Sequence, residues 1–500
     1  MSKKNIKRIS LGTIIVFLFI FSNTCIATQL NSPKSSNSNQ VELDDLPPEL
    51  SIIYSPDGKG YKEEIIPGKF LLHLEGSPYE MGYQQGYLGP TSVIRLANEE
   101  WFKHVVTNLL EAPDWILWIV LSDIMNYDRL RDVVGDVVDD AILQQLSANL
   151  FDNLDSLLDK LFALCKILVD INSQYVPQDF LDEIQGVADG CTDAGYPVTY
   201  EDVLLLNMGM DAMLALAYPV VEPWLFWIDL FSFLSCSGFV AQDDATTSGQ
   251  TIMGHHWQFT SYVLHEEMLI MEYEPNSGHR FMSTSCPGLV GGTAMMNDQG
   301  IAISQDMVPA CDCDPAHFGL GTLLTVRYVA QFTSQLSEAI SFIKNNERGC
   351  PWIYTIGDGR NGETGGVMLE TSEHYCKERG LNYKLPWYVF WYNQIEKKDD
   401  LVTCTNHYIY YDMNGWADST AIDDSKNRYK WLTNEALNVY GAIDLEVGAE
   451  LIDYLHPPNY DYYDDPNGPV GASITCWDLT NLQAKVLYGH YNDQWVYVSL

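Results

Sequence analysis

The sequence predicts an α+β protein, helical in its first half and built of antiparallel strands in its second. Two observations carry this. From about Ser92 to Ile171, apolar residues recur at steps of three and four with acids between them, the spacing of a helix with one buried face. After Cys236 the period changes to two, in short runs separated by turn signals such as Asn276-Ser277-Gly278, Asn297-Asp298-Gln299-Gly300 and Gly357-Asp358-Gly359. Many strands with a few long helices indicate sheets covered by helices.

With 500 residues, 46% hydrophobic and 19% charged, the chain suffices for one large or two ordinary globular domains. Its formal charge of −39 repels nucleic acid and anionic membrane surfaces. Residues 1–27 read as an export signal: a basic start, an apolar run from Ile9 to Phe21, and Ala27 preceded by Cys25 as a small-residue cleavage site. An uncleaved anchor is the alternative, because Ile9 to Ala27 is long enough to span a bilayer. A third is lipidation at Cys25, which Thr24 disfavours. The expected location is secreted or extracellular, membrane-anchored if the leader stays. Residues 28–50, rich in Ser, Asn and Pro, read as a flexible linker. In an oxidising compartment the cysteines are expected to pair. There are eleven. Setting aside Cys25 and Cys236 leaves an odd number, so at least one stays unpaired.

Ordered sequence starts with a strand near Lys69–Leu74. Gly76-Ser77-Pro78 follows as a turn with a helix start built in, Ser as cap and Pro in the first turn. Gly82 and Gly86, four apart, share one helix face and admit another backbone there. A second helix runs from Phe180 to Gly190. Thr199 caps a third, which begins at Tyr200. The aromatic stretch 218–234 reads either as a groove for a lipid or as core. Expected strands cover 238–242, 251–254, 267–274, 291–296, 301–304, 352–356, 366–370, 388–392, 473–477 and 484–488. Helices are expected within 321–345 and 427–455.

Leu234-Ser235-Cys236-Ser237-Gly238 marks the change of period. Ser235–Cys236 reads as a bond the chain cuts in itself, leaving 51–235 as a mostly helical light chain and 236–500 as a heavy chain. Cys236 would then carry both a thiol nucleophile and a free α-amine. That amine, with a reference pKa of roughly 7.7–8.0, is able to take the thiol proton. The alternative is a buried or disulfide-bonded cysteine in a strand.

Several motifs surround this cysteine: Gly76-Ser77-Pro78-Tyr79-Glu80-Met81-Gly82, the segment from Glu183 to Asn207, Cys236-Ser237, and Thr405-Asn406-His407-Tyr408. With them, the chain resembles the autoproteolytic C45 acyltransferase/hydrolase group of the N-terminal-nucleophile hydrolases, the acyl-coenzyme A:6-aminopenicillanic acid acyltransferase-like proteins. It is also similar to the phospholipase B-like proteins. The likeness covers roughly residues 70–495. It implies an αββα sandwich of two antiparallel sheets between helical layers, with Cys236 at a strand start.

The resemblance also implies roles. Asn406 is the oxyanion donor, through its side-chain amide; the alternative is a turn-forming Asn. Arg428 either binds a substrate carboxylate or phosphate or holds the site; a surface helix Arg is the alternative. Asn297 lines the pocket or is a plain hairpin Asn. In Gly254-His255-His256-Trp257-Gln258, the acyltransferase pattern has Asn and Asp where His256 and Gln258 stand. The phospholipase B-like pattern fits better and makes His255 the active-site histidine, with Trp257 and Gln258 beside the substrate.

The expected activity is cleavage of an amide or ester of an acyl group through a thioester at Cys236, on a small-molecule or lipid substrate, with no cofactor and no metal. The alternatives are a phospholipase B-like lipid deacylase and an inactive extracellular binding protein on the same fold. Cys311-Asp312-Cys313 with His317 lacks zinc spacing. The acidic loop 461–468 lacks that of an EF-hand. Adjacent His255 and His256 would point to opposite faces of a strand and so rarely share an ion.

Overall fold

The structure, a computed structural model, describes residues 52–500 except 110–113, 149–152, 226–235, 261–266, 361–364, 385–397, 411–412, 414–420, 454–469 and 490–493. Two sheets form the centre. The larger one takes the order β1 (Ile52–Tyr54), β2 (Tyr61–Ile66), β3 (Lys69–Gly76), β6 (Leu269–Pro275), β7 (Phe281–Ser285), β8 (Ala294–Asn297), β9 (Ile301–Met307), β10 (Trp352–Asp358), β11 (Gly365–Thr371), β12 (Cys376–Gly380). The smaller runs β13 (Leu401–Thr405), β4 (Ser237–Asp243), β5 (Gly249–Thr260), β14 (Val470–Asp478), β15 (Gln483–Gly489), β16 (Val496–Ser499). All pairings are antiparallel except β3 with β6.

Between β3 and β4 come α1 (Pro78–Leu88), α2 (Pro90–Leu96), α3 (Glu99–Leu109), α4 (Asp114–Ile124), α5 (Tyr127–Val134), α6 (Asp140–Leu146), α7 (Leu154–Asn172), α8 (Gln178–Asp193) and α9 (Tyr200–Leu225). Later ones are α10 (Thr322–Phe332), α11 (Leu336–Asn345), α12 (Ala421–Asn438) and α13 (Leu445–Asp453). The expected α+β class and αββα layering are present. The inward residues of the smaller sheet, among them Val240, Met253, Val402 and Cys404, join one core with the larger sheet. Its outward residues Phe239, Ala241, Ile252 and Ile474 pack instead with Leu432 and Ala436 of α12 and Ala449 and Ile452 of α13. At Gly238 the sheets come so close that a Cβ would lie 2.7 Å from Thr355 Oγ1 on β10.

On the far face of the larger sheet sit α1, α8 and α10. Ser77 caps α1 in a capping box with Glu80. Gly82 and Gly86 do admit another backbone. A Cβ on Gly82 would lie 1.9 Å from the Glu183 carbonyl oxygen, and one on Gly86 2.1 Å from that of Val187. Gly186 and Gly190 of α8 meet the α1 backbone equally closely. Just beyond this contact, Glu183 accepts two hydrogen bonds from the Arg327 guanidinium, at 2.8 and 3.0 Å. Both side chains are fully buried, and the rings of Phe180, Tyr273 and Phe281 enclose the cation. This pair locks α8 to α10 and both to β6 and β7.

Several expectations are corrected. The portion before Cys236 is mostly helical and carries the strand expected near Lys69–Leu74, which is β3; β1 and β2, added to the same sheet, were not among the expected strands. Strands β7, β12, β13 and β16 have no counterpart among the runs read from period two; β12, Cys-Lys-Glu-Arg-Gly, is a polar edge strand without that signal. The run at 388–392 and most of the aromatic stretch lie outside the described residues. Residues Tyr200–Val220 are long and apolar enough to cross a membrane, yet lie largely buried in the fold. The expected disulfides are also absent: all ten described cysteines are free thiols. Cys165, Cys191, Cys286, Cys404 and Cys476 are buried and fill the core as small apolar side chains.

Gly86→Ala should lower stability by about 1–3 kcal/mol, because its methyl group meets backbone that cannot yield. Urea unfolding of both proteins measures this; an unchanged midpoint would refute the close α1–α8 contact.

Candidate active site

Cys236 directly precedes β4 and is 3% exposed. The register pairs Ser237 with His256 and Gly238 with His255 on one side, and Ser237 with Thr405 on the other. The start of β4 is therefore flanked by the Gly254–Gln258 segment and by the end of β13. Alternation on these strands turns Cys236, His255 and Trp257 toward the seam between the sheets, and Ser237, His256 and Gln258 toward the helical layer. Only one of the two adjacent histidines thus faces the seam.

Arg428 organises the site. It is 4% exposed, so it is no surface residue of α12. Its guanidinium donates to the Cys236 carbonyl oxygen at 3.0 Å, to Ser237 Oγ at 3.0 Å and to Asn406 Oδ1 at 2.9 Å. Asn406 in turn donates from Nδ2 to the Met307 carbonyl oxygen at 2.8 Å. Its amide also lies within hydrogen-bonding reach of the Cys236 sulfur. The thiol donates to the Gln258 carbonyl oxygen at 3.7 Å. Asn406 is thereby fixed at both ends of its amide, with an N–H directed at the Cys236 sulfur.

Burial pushes the Cys236 thiol up to about 12, and the nearby Asp306 carboxylate adds to this. The Gln258 peptide, Arg428 and Asn406 pull the other way but do not cancel the burial. His255, 1% exposed, is pushed down to about 3, chiefly by burial and also by the neighbouring His256. Its Nε2 lies 3.8 Å from Asp306 Oδ1 on β9.

The structure thus brings together Cys236, Asn406, Arg428 and the Gln258 backbone, with His255 on the same seam. Trp257, 6% exposed, belongs to the core between the sheets. The Gln258 side chain points away from the seam, and only its carbonyl reaches the thiol. Asn297 is the hairpin residue of its two readings. It donates to the Ala330 and Thr333 carbonyl oxygens, both at 2.8 Å, and accepts from the Gln299 and Ile301 amides, so its polar atoms bind the β8–β9 turn to the end of α10. Ser235 lies outside the described residues. Asp306 escaped the sequence reading: in Ile301-Ala302-Ile303-Ser304-Gln305-Asp306-Met307 the only signal is an acid inside an apolar strand.

In the unbroken chain a thiol held near 12 is almost wholly protonated at pH 8, so iodoacetamide should modify Cys236 about a thousandfold or more slower than free cysteine. Mass-spectrometric rates under native conditions check this; a rate near that of free cysteine would contradict the burial.

Comparison with known proteins adds the following. Residues 245–450 match the family model for acyl-coenzyme A:6-aminopenicillanic acid acyl-transferase. An uncharacterized protein of Archaeoglobus fulgidus is 43% identical over 448 residues, which are 89% of this chain and 68% of that one. Protein dcd1A of Dictyostelium discoideum is 23% identical over 354 residues, 68% of each chain. Two solved structures align more loosely. A Caenorhabditis elegans N-acylethanolamine-hydrolyzing acid amidase ortholog has 13% identity and a TM-score of 0.34, covering 49% of this chain and 93% of that one. A variant of conjugated bile acid hydrolase from Clostridium perfringens has 12% identity and a TM-score of 0.37, covering 53% and 92%. The chain belongs to the family of the Archaeoglobus protein, and its residues 245–450 are similar to the acyl-coenzyme A:6-aminopenicillanic acid acyl-transferase family.

Proposed function

We propose that the protein is an exported, self-processing cysteine hydrolase or acyltransferase acting on an amide or ester of an acyl group. The observation that carries this reading is the convergence of the Asn406 amide and the Arg428 guanidinium on Cys236 at a strand start. In processing, the Cys236 sulfur attacks the Ser235 carbonyl carbon. The acyl group moves from nitrogen to sulfur, and water then hydrolyses the thioester. The products are a carboxylate on Ser235 and a free α-amine on Cys236.

That amine supplies the base the buried thiol lacks. It takes the thiol proton as sulfur attacks the substrate carbonyl, then returns it to the departing amine or alcohol. Asn406 donates to the developing oxyanion. Arg428 holds Asn406 in place, and with its side chain committed to three protein acceptors it serves the site rather than a substrate anion. Water or an acceptor amine resolves the acyl-enzyme. A lipid substrate, as in the phospholipase B-like reading, is the second option within the same chemistry. His255 on the seam supports it.

Intact-mass measurement and N-terminal sequencing, beside Cys236→Ala, test the reading. Two fragments are expected, the second beginning at Cys236, and neither in the variant. A single unbroken chain in the wild type would sink self-processing and favour an inactive binding protein.

A further inference from the structure

Two buried polar atoms face each other across the seam and satisfy nothing else. His255 Nε2 and Asp306 Oδ1 are 3.8 Å apart, and neither has a hydrogen-bond partner among the described residues. Asp306 is fully buried and His255 is 1% exposed. Leaving either atom unpaired in such surroundings costs free energy that a hydrogen bond would recover. The gap exceeds a hydrogen bond but closes with a shift of less than 1 Å.

The remaining polar atoms say where the proton belongs. His255 is hydrogen-bonded to the Gln305 backbone. With Nε2 the unpartnered nitrogen, that bond uses Nδ1 as donor, and Nε2 presents a lone pair to Asp306. The other carboxyl oxygen, Oδ2, accepts from the Cys404 thiol at 3.4 Å. A lone pair facing Oδ1 is satisfied only if Asp306 itself brings the hydrogen.

We propose that Asp306 is a positioning residue that shares one proton with His255, and that loss of this proton sets how readily Cys236 ionises. Protonated Asp306 donates to His255 Nε2. Once deprotonated, it leaves two acceptors facing each other and places a negative charge beside the Cys236 sulfur, which disfavours the thiolate. Burial drives both partners toward their neutral forms, the carboxyl up to about 7 and the imidazole down to about 3. The titratable and charged groups that act on the pair are Cys236 before β4, Cys404 on β13 and, from the helical side, His256 on β5 and Arg428 on α12. Of these, Arg428 and the Cys404 thiol favour the carboxylate, and neither offsets its burial.

The test uses the whole chain labelled at histidine nitrogen. The His255 resonances, assigned by their loss in His255→Gln, are expected to stay those of a neutral imidazole from pH 5 to 9 and yet to shift with an apparent pKa near 7, reporting Asp306. In Asp306→Asn this shift disappears. The same variant should raise the rate of Cys236 alkylation at pH 8 by about tenfold, one pKa unit of like-charge repulsion removed. A His255 resonance without titration in the wild type overturns the shared proton, whether or not Asp306→Asn folds. An unchanged alkylation rate in a folded Asp306→Asn overturns the coupling to Cys236. The pair deepens the proposed cysteine chemistry but fails separately from it: an unprocessed chain whose His255 resonance still shifts near pH 7 sinks self-processing alone.

Discussion

The site depends on one guanidinium. Arg428 touches Cys236 and Asn406 at once, and it fixes their geometry because its donors lie in a rigid plane. One nitrogen holds the first peptide of β4 and the Ser237 hydroxyl; another holds the Asn406 amide oxygen, which turns the amide's N–H groups toward Met307 and the sulfur. A buried cation is costly unless its donors are satisfied, and here three acceptors from β4 and from the segment after β13 satisfy it. The same economy appears on the other side of the larger sheet, where Arg327 is paired with Glu183 and enclosed by aromatic rings.

Much of this was legible in the sequence, and the failures have physical causes. The change of period at Cys236 reports which faces are buried, so the helical half, most strands and the α+β class followed from it, while the αββα layering came with the family resemblance. Gly82 and Gly86 were legible because four-residue spacing on a helix has a single geometric meaning. Asn406 could be singled out only through the company of its neighbours. The strands β12 and β13 were not legible: one lies at a polar edge, the other is a short run buried on both faces, which carries no alternation. Arg428 was ambiguous because sequence around it, Ser-Lys-Asn-Arg, describes an exposed helix; only the packing of α12 against β4 and β13 shows which way it points. Asp306 was silent for a similar reason, since burial by a facing sheet leaves no local mark.

The cysteines show the limit of reasoning from a compartment. An export signal implies pairing, yet pairing also requires a particular geometry between two cysteines, and none of the ten described thiols is bonded to another. Cys236 and Cys404 both lie at the seam beside polar side chains, the first near the Asn406 amide and the second against the Asp306 carboxyl.

The parallel pairing of β3 with β6 carries a consequence in time. His73 on β3 meets Glu272 on β6 across 199 positions of chain, and Arg428 reaches the Cys236 carbonyl across 192. A ribosome making this protein exposes the helical half long before either partner emerges. The strand that will seat that half in the sheet must wait without its neighbour, and contacts of such long range form late and slowly. The Arg428 contacts at Cys236 cannot form until α12 has been synthesised and docked. Any cut there would therefore follow folding, and would leave the first fragment held by β1, β2 and β3 in a ten-stranded sheet whose other seven strands come from the second.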